Sequence, residues 1–133
     1  MKLTFYLVVV GFLYFPFNAA SQTKAMDKNS NYSVEIIRYT IAQDQGASFE
    51  DAYAKAGAIL QKSPYCLGYE IIHGVDESQH YIVRIHWTSK QDHMSGFRSS
   101  PEFGSFFNLV KSFYNNIEEM KHYEITSTVW SKN

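Results

Sequence analysis

The sequence predicts an α+β domain with the element order βαββααβ, and three observations carry that prediction. Four segments alternate their side chains with the two-residue period of a strand, most clearly Tyr32–Ile41 and Tyr81–Trp87. Two others repeat apolar residues at three- and four-residue steps, the pattern of a helix packed along one side. Helix-starting signals stand where the period changes, at Ser48, Ser89 and Ser100-Pro101.

The chain opens with a positive end, Met1-Lys2, followed by an apolar run from Leu3 to Phe17. Asn18-Ala19-Ala20-Ser21 then offers small residues for a cut before Gln22. A spanning helix needs about 20 apolar residues, and this run is only about 15 long. Residues 1–21 are therefore expected to be a cleaved secretory signal, which makes the mature protein secreted or periplasmic and free of the membrane. Residues 22–31, QTKAMDKNSN, are polar and are expected to be a flexible lead-in. One domain follows, over 32–130.

Within it, Tyr32–Ile41 is the first strand, with Ile37, Tyr39 and Ile41 on one face and Ile36, Arg38 and Thr40 on the other. Ser48 is expected to cap a helix whose stripe is Phe49, Ala52, Tyr53, Ala56, Ile59 and Leu60, stopped by Ser63-Pro64. Leu67–His73 and Tyr81–Trp87 are joined by the polar turn GVDESQ and read as a hairpin. Ser89 and Asp92 are placed to cap a short helix. Ser100 and Pro101 open a second, whose stripe runs from Phe103 through Val110 and Phe113 to Ile117. The last strand is expected over Lys121–Val129, with Glu124 on the outer face beside Arg38, Glu70, Arg84 and His86.

Composition narrows the partners. The net charge is −1, without a basic stripe, so nucleic acid and anionic membrane are not expected ligands. One cysteine, Cys66, leaves an exported chain without an internal disulfide. Aromatic residues make up 17% of the chain, enough to line a cavity as well as fill a core. There is no dinucleotide fingerprint, phosphate loop or HExxH, and the histidines at 73, 80, 86, 93 and 122 lack metal-ligand spacing, so no metal site is expected.

The stretch HWTSKQDHMSGFRSSPEF (86–103), with EEMKHYE further on, resembles the antibiotic biosynthesis monooxygenase (ABM) family. The resemblance covers about 32–130. It implies a ferredoxin-like antiparallel sheet that pairs with a second copy into a dimeric α+β barrel, and a chemistry without cofactors. In the quinone-forming members the cleft between sheet and helices holds the substrate, and Trp87 stands at the position of their strand-end Trp. Their Asn four residues earlier and Tyr six residues later are here Val83 and His93, so His93 becomes the candidate base beside Trp87. Tyr39, Tyr53, Phe97 and Phe107 are expected to line the same cleft for a small aromatic or phenolic molecule. In the haem-degrading members the required Asn, Trp and His fall on Ile37, Phe97 and Phe107, which cannot ligate iron. Three functions stay open at this level: a cofactor-independent oxygenase, a small-molecule binder without turnover, and a structural dimer with a filled cleft.

Overall fold

The computed structural model describes residues 31–132. The expected leader, and the lead-in up to residue 30, lie outside the described residues. Four strands, β1 (Ser33–Thr40), β2 (Cys66–His73), β3 (His80–Trp87) and β4 (Ile117–Glu124), form one antiparallel sheet. Their order is β2-β3-β1-β4. With the helices α1 (Gly46–Leu60) and α2 (Pro101–Val110) the chain is a ferredoxin-like α+β domain.

Strand alternation puts the core where the apolar residues predict it. Ile37, Tyr39, Val83, Ile85 and Trp87 face the helices and are buried. Phe49 of α1 is fully buried and meets four other rings, with centroids 4.9 Å from Tyr39, 5.0 Å from Tyr53, 4.8 Å from Tyr81 and 5.3 Å from Phe113. This ring cluster ties α1 to the middle strands and to the segment after α2. Gly57 permits the close approach of α1 to β2, since a Cβ there would fall 2.0 Å from the Tyr69 hydroxyl oxygen.

Three details differ from the sequence-based expectation. Helix α1 begins at Gly46 rather than beyond Ser48, and no side chain caps it. A 3₁₀ turn, Gln43–Gln45, runs straight into it and already supplies a backbone bond from Gln45 N–H to Ala42 O. The short helix after Ser89 is a π-helical turn, Asp92–Gly96, continued by a 3₁₀ turn, Phe97–Ser99. Ser89 does accept the Asp92 N–H at 2.9 Å, as a cap should, while the Asp92 carboxylate takes the Thr88 hydroxyl at 2.6 Å.

The third difference matters most. The last strand is Ile117–Glu124, not Lys121–Val129, and Ile117 belongs to it rather than to the helix. Helical structure ends in a 3₁₀ turn, Lys111–Asn116, and pairing stops at Glu124 because its partner Ser33 is the first residue of β1. This register sets Met120 opposite Ile37 and His122 opposite Glu35, on the helix side. Glu124, opposite Ser33, lies on that side too and not on the outer face, where Tyr123 stands instead.

Phe49→Ala removes the centre of the ring cluster and should cost about 3–5 kcal/mol of folding stability. Urea denaturation of the two proteins measures it; a loss below about 1 kcal/mol would mean that the cluster is not the core of the domain.

Candidate active site

One acidic residue interrupts the apolar face of β1. Glu35 shares the parity of Ile37 and Tyr39, so the pleat turns it inward, where it is 3% exposed. Trp87, the last residue of β3, donates its indole N–H to Glu35 Oε2 at 3.0 Å. The π-helical turn that follows Trp87 folds His93 against it, rings parallel within 5° and centroids 4.2 Å apart. His93 Nδ1 lies 2.7 Å from His122 Nε2 on β4 and 3.7 Å from Glu35 Oε2. Three stretches distant in sequence, the start of β1, the end of β3 with the turn after it, and β4, thus converge on one polar cluster.

A narrow cavity of about 40 Å³ runs beside this cluster, touching Glu35, Trp87 and His93. Tyr39, Tyr53, Phe97 and Phe107 line it, as does Arg98. All six residues singled out in the sequence therefore meet at one place. The space holds a few water molecules or a dioxygen, since one water needs about 10–15 Å³ of such volume. An aromatic ring needs more, and the wall able to yield it is the outer one, where Phe107 is half-buried and Tyr114 is 52% exposed.

Burial sets the protonation states. It pushes the Glu35 carboxyl up to about 7, against the opposing pull of the Trp87 hydrogen bond and the Arg98 charge. It pushes His93 down to about 3, helped by His122 and Arg98, so the imidazole is neutral at physiological pH. The His93–Glu35 contact is then not an ion pair. Burial likewise raises Tyr39 to about 12 and Tyr53 well above the usual phenol range, and their hydroxyls share a 2.6 Å hydrogen bond. Of these groups only Glu35 changes charge near neutrality, which suits it better than His93 to act as a base.

Glu35, His93 and His122 also bring three metal-type donors within 4.8 Å of one another, a grouping that the linear spacing of the histidines does not announce. Two ligands of one tetrahedral zinc sit about 3.3 Å apart. The imidazole nitrogens, 2.7 Å apart, instead have hydrogen-bond spacing. The positive charges of Arg98 and Lys90 also bear on His122. The donor set is arranged as a hydrogen-bonded chain rather than round an ion.

Sheet order and helices on one face define a small ferredoxin-like α+β domain, with a buried acid in the cleft between sheet and helices. The family model for antibiotic biosynthesis monooxygenases (ABM) matches residues 33–109, and the chain belongs to that family. It is similar to the uncharacterised Bacillus subtilis protein YczJ, with 26% identity over 76 residues, 57% of this chain and 80% of that one. Among solved structures it is similar to a Bordetella bronchiseptica protein assigned to the same family, with TM-score 0.61 and 21% identity, covering 74% of this chain and 99% of the other. SnoaB from Streptomyces nogalater, a cofactor-independent oxygenase, gives TM-score 0.57 and 16% identity over 75% of this chain and 96% of its own. At these identities the two structures share the fold.

Glu35, His122 and Arg98 escape a linear reading. Only Glu35 leaves a signal, as the one charge on an otherwise apolar strand face.

The shifts make stability depend on pH with opposite signs. Glu35 holds a proton in the folded state that the unfolded chain releases near 4.5, so its contribution is full below 4.5 and is lost as pH rises through about 7. His93 behaves oppositely, contributing fully above 6.5 and losing this as pH falls towards about 3. The two offset each other between 4.5 and 6.5. Denaturant unfolding from pH 4 to pH 8 should show Glu35→Gln gaining stability from pH 4.5 to 6.5 more steeply than the wild type, by about 1.4 kcal/mol per pH unit at most. Parallel curves for the two proteins would place the Glu35 titration elsewhere.

Proposed function

We propose that the protein is an exported, cofactor-independent monooxygenase acting on a small aromatic or phenolic compound, with Glu35 as its base. The observation that carries this reading is the Glu35 carboxyl itself, buried on the wall of the cleft, held by Trp87 and raised to about 7. Glu35 in its ionised form takes a proton from an acidic C–H or phenolic O–H. The resulting substrate anion reduces dioxygen. Over the whole reaction a ring methylene becomes a carbonyl, R₂CH₂ + O₂ → R₂C=O + H₂O, one oxygen atom entering the product and the other leaving as water. The four electrons come from the substrate. Trp87 orients the carboxylate, and the neutral His93 stacked on it completes the polar wall.

An oxygen electrode with hydroquinones and anthrone-type phenols tests this. Glu35→Gln should lower the rate about 100- to 10,000-fold, the range of a general base. His93→Ala should lower it less, and dialysis against a chelator should leave it unchanged. Oxygen uptake by Glu35→Gln at the wild-type rate would remove Glu35 from this role. The narrowness of the cavity also favours a second reading, a filled-cleft or binding protein, which becomes the better one if no compound is consumed.

We further propose that the active form is a homodimer joined through the outer sheet face. That face carries the half-buried Ile36 and Ile82 and the exposed Ile72, Tyr123 and Ile125 around the Arg84–Glu70 pair at 2.5 Å. A groove of about 300 Å³ runs along it between Tyr32, Val34 and Tyr123. Such a mixture of apolar area and paired charge suits a sheet-to-sheet contact. Light scattering of the mature protein should give twice the monomer mass, and Ile72→Glu should halve it; a monomeric wild type would remove the barrel. Export rests on residues 1–21, and protein recovered from an exporting host should begin near Gln22.

A further inference from the structure

Arg98 is the only arginine or lysine among the residues that line the cavity. Its planar guanidinium presents a fork of N–H donors and no acceptor. Its placement follows from the short turns after β3. The π-helical turn and the 3₁₀ turn Phe97–Ser99 set Phe97 into the core and bring Arg98 to the cavity wall.

What surrounds the guanidinium leaves its donors largely unused. Its central carbon lies 5.6 Å above the Phe103 ring, and one terminal nitrogen is 3.9 Å from Met94 Sδ, a weak acceptor. Its Nε is buried without a hydrogen-bond partner among the described residues. No carboxylate among the described residues is ion-paired with it. The guanidinium is half-buried, and its idle Nε and terminal N–H groups are open to an acceptor that enters the cavity. Apart from Glu35 and His93 the wall is aromatic and aliphatic, so the completing group arrives on a flat apolar body.

We propose that Arg98 is the oxyanion-binding residue of this cavity and that its ligand is an aromatic compound bearing a carboxylate or an ionised phenol. A planar guanidinium matches either oxyanion, bidentately for a carboxylate. The ring then lies against Phe103 and Phe107, and its acidic position comes within reach of Glu35. Arg98 thereby selects the substrate and also stabilises the negative charge that proton removal creates. This rests on the cleft being the working site proposed above, and it sharpens the substrate class from aromatic to aromatic and anionic.

Isothermal titration of the mature protein at pH 7 with two matched pairs tests it: 2-naphthoate against 2-naphthamide, and pentafluorophenol against pentafluoroanisole. The wild type should bind the anionic member of at least one pair about 10- to 100-fold more tightly, the scale of a charged hydrogen bond. The pair that shows the preference tells carboxylate from phenolate. Arg98→Gln should erase the preference, and Arg98→Lys should keep only part of it, having the charge without the fork. Equal binding of both members by the wild type, no binding of any probe, or a preference that survives Arg98→Gln would each overturn the assignment. If Arg98→Gln does not fold, Arg98→Lys decides alone, an undiminished preference counting against the proposal. Anion preference without oxygen uptake leaves Arg98 in its role and removes the oxygenase; uptake with an unchanged rate in the Arg98 variants does the reverse.

Discussion

The hydrogen bond from the Trp87 indole to the Glu35 carboxyl is the interaction on which the rest of the site depends. It joins the end of β3 to the start of β1, where Trp87 and Ser33 are paired across the sheet. A carboxyl in this position is largely withdrawn from solvent, so its charge is disfavoured and its proton is held more tightly than usual. One bond to a neutral N–H satisfies part of the group without fixing its ionisation. A lysine or arginine partner at the same place would hold it ionised and make it a poor base.

The fold supplies this geometry through register. Because β1 is the inner neighbour of both β3 and β4, one side chain of β1 can touch Trp87 on one flank and approach His122 on the other. The π-helical turn then adds His93 from above, its extra residue per turn re-aiming the chain so that the imidazole stacks on Trp87 and Phe97 still enters the core. The aromatic cluster around Phe49 serves the site at one remove. It packs α1 against the sheet and so places Tyr53, whose hydroxyl meets that of Tyr39 where both line the cavity.

Much of this was legible in the residues. Strand alternation places Tyr39, Val83, Ile85 and Trp87 on the buried face, and Ser100-Pro101 marks the start of α2. The meeting of Trp87 with His93 follows from a strand end running into a turn a few residues long. What stayed hidden depends on pairing across the sheet. His122 becomes a neighbour of His93 only once β4 is set against β1, and the same pairing is what puts Glu124 opposite Ser33 on the helix side. The apolar stripe continuing through Phe113 to Ile117 masks the end of the helix, because a 3₁₀ turn keeps nearly the same spacing. Glu35 was visible as an irregularity, but its significance needs burial and the indole partner, neither of which is local in sequence.

The central claim is that Glu35 is a buried carboxyl poised near neutrality. Its most direct test is a pH titration of the Glu35 side-chain carboxyl carbon by NMR in isotope-labelled protein, assigned by its loss in Glu35→Gln. A midpoint near 7 is predicted, and a midpoint close to the ordinary 4.5 would contradict the account.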